Sequence, residues 1–119
     1  MKEFEFSYDR DNDDLFIFRR DSKSKGSVEL GNLILDFDYK KNLVGIEIIN
    51  ATEYLSEVLN LSRERVREIL CTLKKCNVRT KLYGNAILIL IILQGEKEEK
   101  NIALTVPDIR QKSPAVLYG

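Results

Sequence analysis

Apolar and polar positions alternate from the start of the chain: Phe4, Phe6 and Tyr8 are separated by Glu5 and Ser7. Successive side chains of a strand point to opposite faces, so this pattern predicts a strand with one apolar face. A polar turn follows over Asp9 to Asp14, and Leu15 to Arg19 closes a hairpin. After a Ser/Lys/Gly loop at 21–27, short strands are predicted over 28–30 and 33–37, separated by a Gly31-Asn32 turn. A charged turn at 38–42 leads to a further strand over 43–49. Gly45 lies inside it, and an interior glycine marks a bulge or a close backbone approach.

The period then changes. Asn50 is placed to cap a helix, with Glu53 at the capping-box position three residues on. Leu55, Val58 and Leu59 share one helical face, and Asn60 suits the left-handed residue that ends a helix. Ser62 is a second N-cap. Val66, Ile69, Leu70 and Leu73 then recur at helical spacing, with Lys74 and Lys75 at the end favoured by the helix dipole. Strand patterns return over 78–83 and 101–106. Between them, the apolar run from Ala86 to Leu93 reads as a fully buried strand after a Gly84-Asn85 turn.

Five strands, two helices and three strands joined by short turns imply an α+β fold. Its mostly antiparallel β-sheet is expected to be covered on one face by the central pair of helices. With 119 residues, a single domain over residues 1–107 is expected, followed by a C-terminal tail or arm at 108–119.

Composition narrows the function classes. Hydrophobic residues make up 44% and charged residues 32%, as in a globular protein. The formal net charge of zero argues against non-specific coating of nucleic acid. Charge is unevenly divided: residues 1–61 carry 8 Lys and Arg against 13 Asp and Glu, and residues 62–119 carry 11 against 6. Such a dipolar chain suits head-to-tail self-association or one charged binding face, and equally a scatter of charges over a folded surface. Histidine is absent and there are only two cysteines, Cys71 and Cys76, so neither a Cys/His zinc site nor a disulfide framework is expected. The opening residues do not read as a signal peptide, and the longest apolar run has eight residues against the roughly 20 that a membrane helix needs. A cytoplasmic protein without cofactor is expected. Its richness in Ile, Lys and Glu hints at a thermophilic source.

Tyr8-Asp9, Asp13, Leu15-Phe16-Ile17, Asp36-Phe37-Asp38 and the run Val44-Gly45-Ile46-Glu47-Ile48-Ile49-Asn50-Ala51 together resemble an uncharacterised prokaryotic family, domain of unknown function 2283. The resemblance covers residues 4 to about 55. It implies a small β-rich module of no established activity, with an antitoxin-like or partner-binding role conceivable; the second half of the chain is additional to the usual short members.

Three constellations carry candidate chemistry. Residues 52–70 resemble the helix-turn-helix of bacterial sigma factors, with Ser56 in the first helix, Asn60 and Leu61 at the turn, and Ser62 to Arg67 opening a recognition helix. Ser62, Arg63, Arg65, Arg67, Lys74 and Lys75 are then the candidate nucleic-acid contacts, because basic side chains on the first turns of such a helix reach phosphates and base edges. The same residues also fit an ordinary helix pair, with Glu64–Arg67 and Arg65–Glu68 as surface partners. Asp36, Asp38 and Glu47 form a candidate acidic cluster for a small metal-dependent hydrolase, although Glu47 also suits pairing with a base on a neighbouring strand. Asp9, Asp11 and Asp13 imitate the start of a calcium loop. The imitation fails at Asp14, where the loop needs glycine, and at Arg20, where it needs glutamate. With no catalytic set complete, the leading expectation is a non-enzymatic protein-interaction module, a homodimer or the binder of another protein. A DNA-binding regulator is the alternative, and a hydrolase the third.

Overall fold

The structure, a computed structural model, describes residues 4–108. Its elements are β1 (Glu5–Asp9), β2 (Asp14–Phe18), β3 (Gly26–Leu30), β4 (Leu33–Phe37), β5 (Leu43–Ile48), α1 (Ala51–Leu59), α2 (Arg63–Cys71), β6 (Lys75–Tyr83), β7 (Ala86–Gln94) and β8 (Glu99–Pro107). This is the order that the hydrophobic pattern predicts. Within the C-terminal segment read as an arm, residues 109–119 lie outside the described residues.

The strands form two antiparallel sheets instead of one. The first has the order β1-β2-β5-β4-β3, and the second β6-β7-β8. Most neighbours are consecutive in sequence, as short turns require. The exception is β5, which inserts between β2 and β4. Its residues explain this central position: Leu43, Val44, Gly45, Ile46 and Ile48 are all buried, and a strand apolar on both faces loses least by being enclosed. Asn32 fixes the register at one end: its backbone oxygen accepts from the Ile49 amide at 2.8 Å, and its side-chain amide donates to the Ile49 carbonyl at 2.7 Å.

Gly31 and Gly84 open the two-residue turns between β3 and β4 and between β6 and β7, with φ of 62° and 61°. A hairpin turn with positive φ at its first central position favours glycine there. Gly45 meets a different constraint. It lies opposite Asp36, and a Cβ at this position would come 2.9 Å from Asp36 Oδ2. The register between β4 and β5 also shifts directly after Asp36. The irregularity expected beside an interior glycine is therefore present, while the atoms that approach Gly45 belong to the Asp36 side chain and not to backbone.

The Ile/Leu run of β7 is not buried throughout. Ile87, Ile89, Ile91 and Leu93 enter the core, while Leu88, Leu90 and Ile92 point to the opposite face and stay half-exposed. One apolar cluster unites both sheets and both helices, drawing on Leu35, Ile46 and Ile48 from the first sheet, Leu55 and Val66 from the helices, and Ile89, Ile91 and Ile102 from the second sheet. At about 1.5–3 kcal/mol for each fully buried Leu, Ile or Val, this cluster is the main source of cohesion. Val58, expected on the packed helical face, is exposed.

Helix α1 is capped differently from the sequence expectation. Asn50 has φ 53° and ψ 53° and makes no side-chain cap bond. The cap comes from Asp13, 39 positions from Thr52, in the β1–β2 turn. Its Oδ2 accepts from the Thr52 amide at 3.1 Å and from the Thr52 hydroxyl at 2.6 Å, and its carbonyl accepts from the Ala51 amide at 2.9 Å. A carboxylate at a helix N-terminus satisfies orphan amides and complements the dipole. Asn60 closes α1 with φ 56°, and Ser62 caps α2 by accepting from the Arg65 amide at 3.1 Å, both as expected.

Candidate functional site

The helix pair presents its basic residues already engaged. Arg63 lies 3.5 Å from Glu53 of α1. Arg65 lies 2.6 Å from Glu68 and also pairs with Glu98, in the connection between β7 and β8. Arg67 lies close enough to Tyr8 for its charge to act on that phenol. Ser62 serves as the cap of α2. Lys74 and Lys75 are not on the second helix, which ends at Cys71 with Thr72 as its cap. Lys74 donates its amide to Gln94, and Lys75 is the first residue of β6. The reason is local: the Thr72 hydroxyl bonds back to the Glu68 carbonyl at 2.7 Å, and the chain turns straight into the ladder with β7.

The acidic residues divide in the same way. Asp38 is consumed in the β4–β5 turn, where its Oδ1 accepts from the Lys40 and Asn42 amides, each at 2.9 Å. Asp36 accepts from the Ser27 hydroxyl and stands near Glu47 on the outer face of the first sheet. The third member there is Asp14, not Asp38. Burial, followed by the charges of Asp14 and Asp36 and a hydrogen bond with Asp14, raises Glu47 above the usual carboxylate range. Glu47 therefore meets acids where a basic partner was expected. Among the described residues, no group of three or more Asp, Glu, Cys or His side chains is arranged to hold a metal ion, so the Asp36, Asp38 and Glu47 cluster is not assembled. Asp9 Oδ1 accepts from the amides of Asp11 and Asn12, and Asp13 caps α1, so the calcium-like triplet is a turn plus a cap. Tyr8 completes that corner by donating to Asp13 Oδ1 at 2.6 Å. Burial and then this bond raise its phenol above the usual range. Cys76 is buried, which pushes its thiol up to about 12, whereas Cys71 is exposed.

Two further features escape a reading by strand period alone. Strand pairing places Phe16, Phe18 and Ile34 on one outer face beside Asp14, Asp36 and Glu47. It places Leu88, Leu90 and Ile92 on another, beside Arg79 and Lys81. Apolar residues recurring at every second position in both segments were the available signal, but which ones face outward depends on pairing partners. The second feature is a cleft of about 420 Å³ to which both sheets contribute, floored by Phe4, Phe37, Leu43 and Ile87.

Residues 5–51 match the family model described as Protein of unknown function (DUF2283). A relative shares the rest of the chain as well: an uncharacterised protein of Methanocaldococcus jannaschii is 30% identical over 114 residues, which span 94% of this chain and 95% of that protein. The chain belongs to the DUF2283 family. The second half is thus shared with the Methanocaldococcus jannaschii protein and is not peculiar to this chain. A protein of Methanosarcina mazei named as a putative hypoxanthine phosphoribosyltransferase is 33% identical over 64 residues, 54% of this chain and 49% of its own length. No solved structure matches the chain. Among the described residues, no helix is long and apolar enough to cross a membrane.

Proposed function

We propose that this DUF2283 protein is a non-enzymatic protein-interaction module that associates with a second copy of itself, the homodimer being the basic unit. The observation that carries this reading is the pair of outer sheet faces. One sets Phe16 and Phe18, 36% and 38% exposed, among acidic side chains; the other sets Leu88, Leu90 and Ile92 beside Arg79 and Lys81. Apolar centres edged with opposite charge complement each other across two copies, and charge complementarity selects partners and register. Among the described residues, β3 and β8 end their sheets, and their outer edges offer further main-chain donors and acceptors. The helix pair serves here as a cover for the core. Two of its three arginines, Arg63 and Arg65, are already paired with Glu53, Glu68 and Glu98, which places them poorly to act as a reading head for DNA. The match to the Methanosarcina mazei relative spans only about half of either protein, so its transferase name does not guide this reading. Free Cys71 and Cys76 fit a reducing cytoplasmic setting.

The test is the mass in solution by light scattering from 10 to 500 µM at low and high salt. A dimer that grows with concentration and dissociates as salt rises is expected. Leu90→Asp and Phe16→Asp should each return the mass to the monomer while leaving the circular dichroism unchanged. A monomer throughout this range overturns self-association. Salt-sensitive binding to a mixed-sequence DNA duplex, lost on neutralising Arg63, Arg65 and Arg67, would replace it with the DNA-binding reading.

A further inference from the structure

The cleft between the sheets is built unlike the rest of the surface. Its polar lining comes from Arg19, Asn42, Asn77, Arg79 and Thr80, every one a hydrogen-bond donor. Among the described residues no carboxylate lines it, in a chain with as many acids as bases. Arg19 is the unusual member. Its backbone amide is tied to the Val44 carbonyl at 3.0 Å, and its guanidinium lies over the Phe4 ring, 5.8 Å from the centroid. Its side-chain Nε is buried and meets no acceptor among the described residues.

A buried donor without an acceptor is costly, and such groups occur where strain, ordered water or a bound group offsets the cost. A guanidinium offers paired N–H groups in a plane that matches a carboxylate or phosphate, and it remains charged at any physiological pH. The floor of Phe4, Phe37 and Ile87 is apolar, so the same opening accepts a hydrophobic body next to that anionic group. The volume of about 420 Å³ falls in the range of small-molecule sites.

We infer that this cleft is a binding site for a small organic oxyanion: a carboxylate or phosphate carried on an apolar, ring-sized body. Arg19 receives the oxyanion through the N–H groups of its guanidinium that line the cleft. Arg79 adds the second positive charge, Asn42, Asn77 and Thr80 supply neutral donors, and Phe4 with Phe37 contacts the body. One copy of the chain supplies every lining residue, with Arg79 standing between the cleft and the outer face of Leu88 and Leu90.

The experiment is a two-dimensional amide NMR titration of the full chain with benzoate and with phenyl phosphate, using benzyl alcohol as the uncharged control. Saturable shifts confined to the cleft, with at least tenfold weaker binding of benzyl alcohol, are the expected result. Arg19→Gln should weaken the oxyanion at least tenfold. Arg79→Gln gives a second reading at an exposed residue should the loss of Arg19 disturb folding, and should weaken it severalfold. The proposal is overturned if neither oxyanion produces saturable shifts at the cleft. It is equally overturned if benzyl alcohol binds as well as benzoate, or if both variants bind like the parent.

Discussion

Strands of five or six residues build the first sheet, whereas the second is made from three strands of nine. The short strands are held by particular side chains at their turns: Asp9, Asp13, Asn32 and Asp38 each bond backbone that the ladder leaves unpaired. In the long strands the continuous ladder and the aliphatic face of β7 do that work, with Gly84 opening the β6–β7 turn. The difference teaches where each half is vulnerable. Turn chemistry decides the first sheet, and packing against the common core decides both.

The largest effects should come from that core. Ile48→Ala in β5 and Ile91→Ala in β7 each truncate a fully buried side chain, one from each sheet. Each should cost about 2–5 kcal/mol, with the spread set by how far the site collapses. Because both residues belong to one cluster, each variant should show a single urea transition by circular dichroism and by tyrosine fluorescence. Two separate transitions would instead make the sheets independent units.

A mid-sized effect should separate the halves. Asp13→Ala leaves the Thr52 amide and hydroxyl and the Tyr8 hydroxyl without their acceptor. Unsatisfied donors of this kind suggest a loss of about 1–3 kcal/mol. Asn50→Gly should change stability by only a few tenths of a kcal/mol, because Asn50 makes no side-chain cap bond and its φ of 53° suits glycine. If thermal melts show Asn50→Gly to be the more damaging of the two, the assignment of the α1 cap to Asp13 fails.

The smallest effect concerns Glu47 and depends on pH. Its value is raised above 4.5, so the folded state binds the proton more tightly than the unfolded chain does. The stabilisation from that proton is fully present below 4.5 and is lost as pH rises through the raised value. Glu47→Gln should therefore be more stable than the parent at pH 7, and the gap should close as the buffer approaches pH 4. A gap that widens on acidification would mean that Glu47 is stabilised as the anion, contrary to its acidic surroundings.

Much of the architecture was legible because it rests on local rules. The period of two around Phe4–Tyr8, the helical spacing of Val66, Ile69 and Leu70, the glycines at 31 and 84, and the Ser62 and Asn60 caps all fall where short-range sterics and hydrogen bonding place them. The candidate sites were less legible. Asp36, Asp38 and Glu47 are near one another in strand pattern, yet Asp38 turns into its own loop and Asp14 takes its place. The cleft was invisible, since its lining runs from Phe4 to Ile87 and no sequence window contains it.

The sequence by itself determined the ten elements seen among the described residues, their order and the α+β class, because helix and strand periods, caps and tight turns depend on residues a few positions apart. It also determined the family, through the run from Val44 to Ala51. Only the tertiary structure decided that the strands split into two sheets, that β5 enters between β2 and β4, that Asp13 caps a helix through Thr52, 39 positions away, and that Arg19 lies half-buried at a cleft between the sheets. These are contacts between residues far apart in the chain, and they form because one shared core is the cheapest way to remove both sets of apolar faces from water.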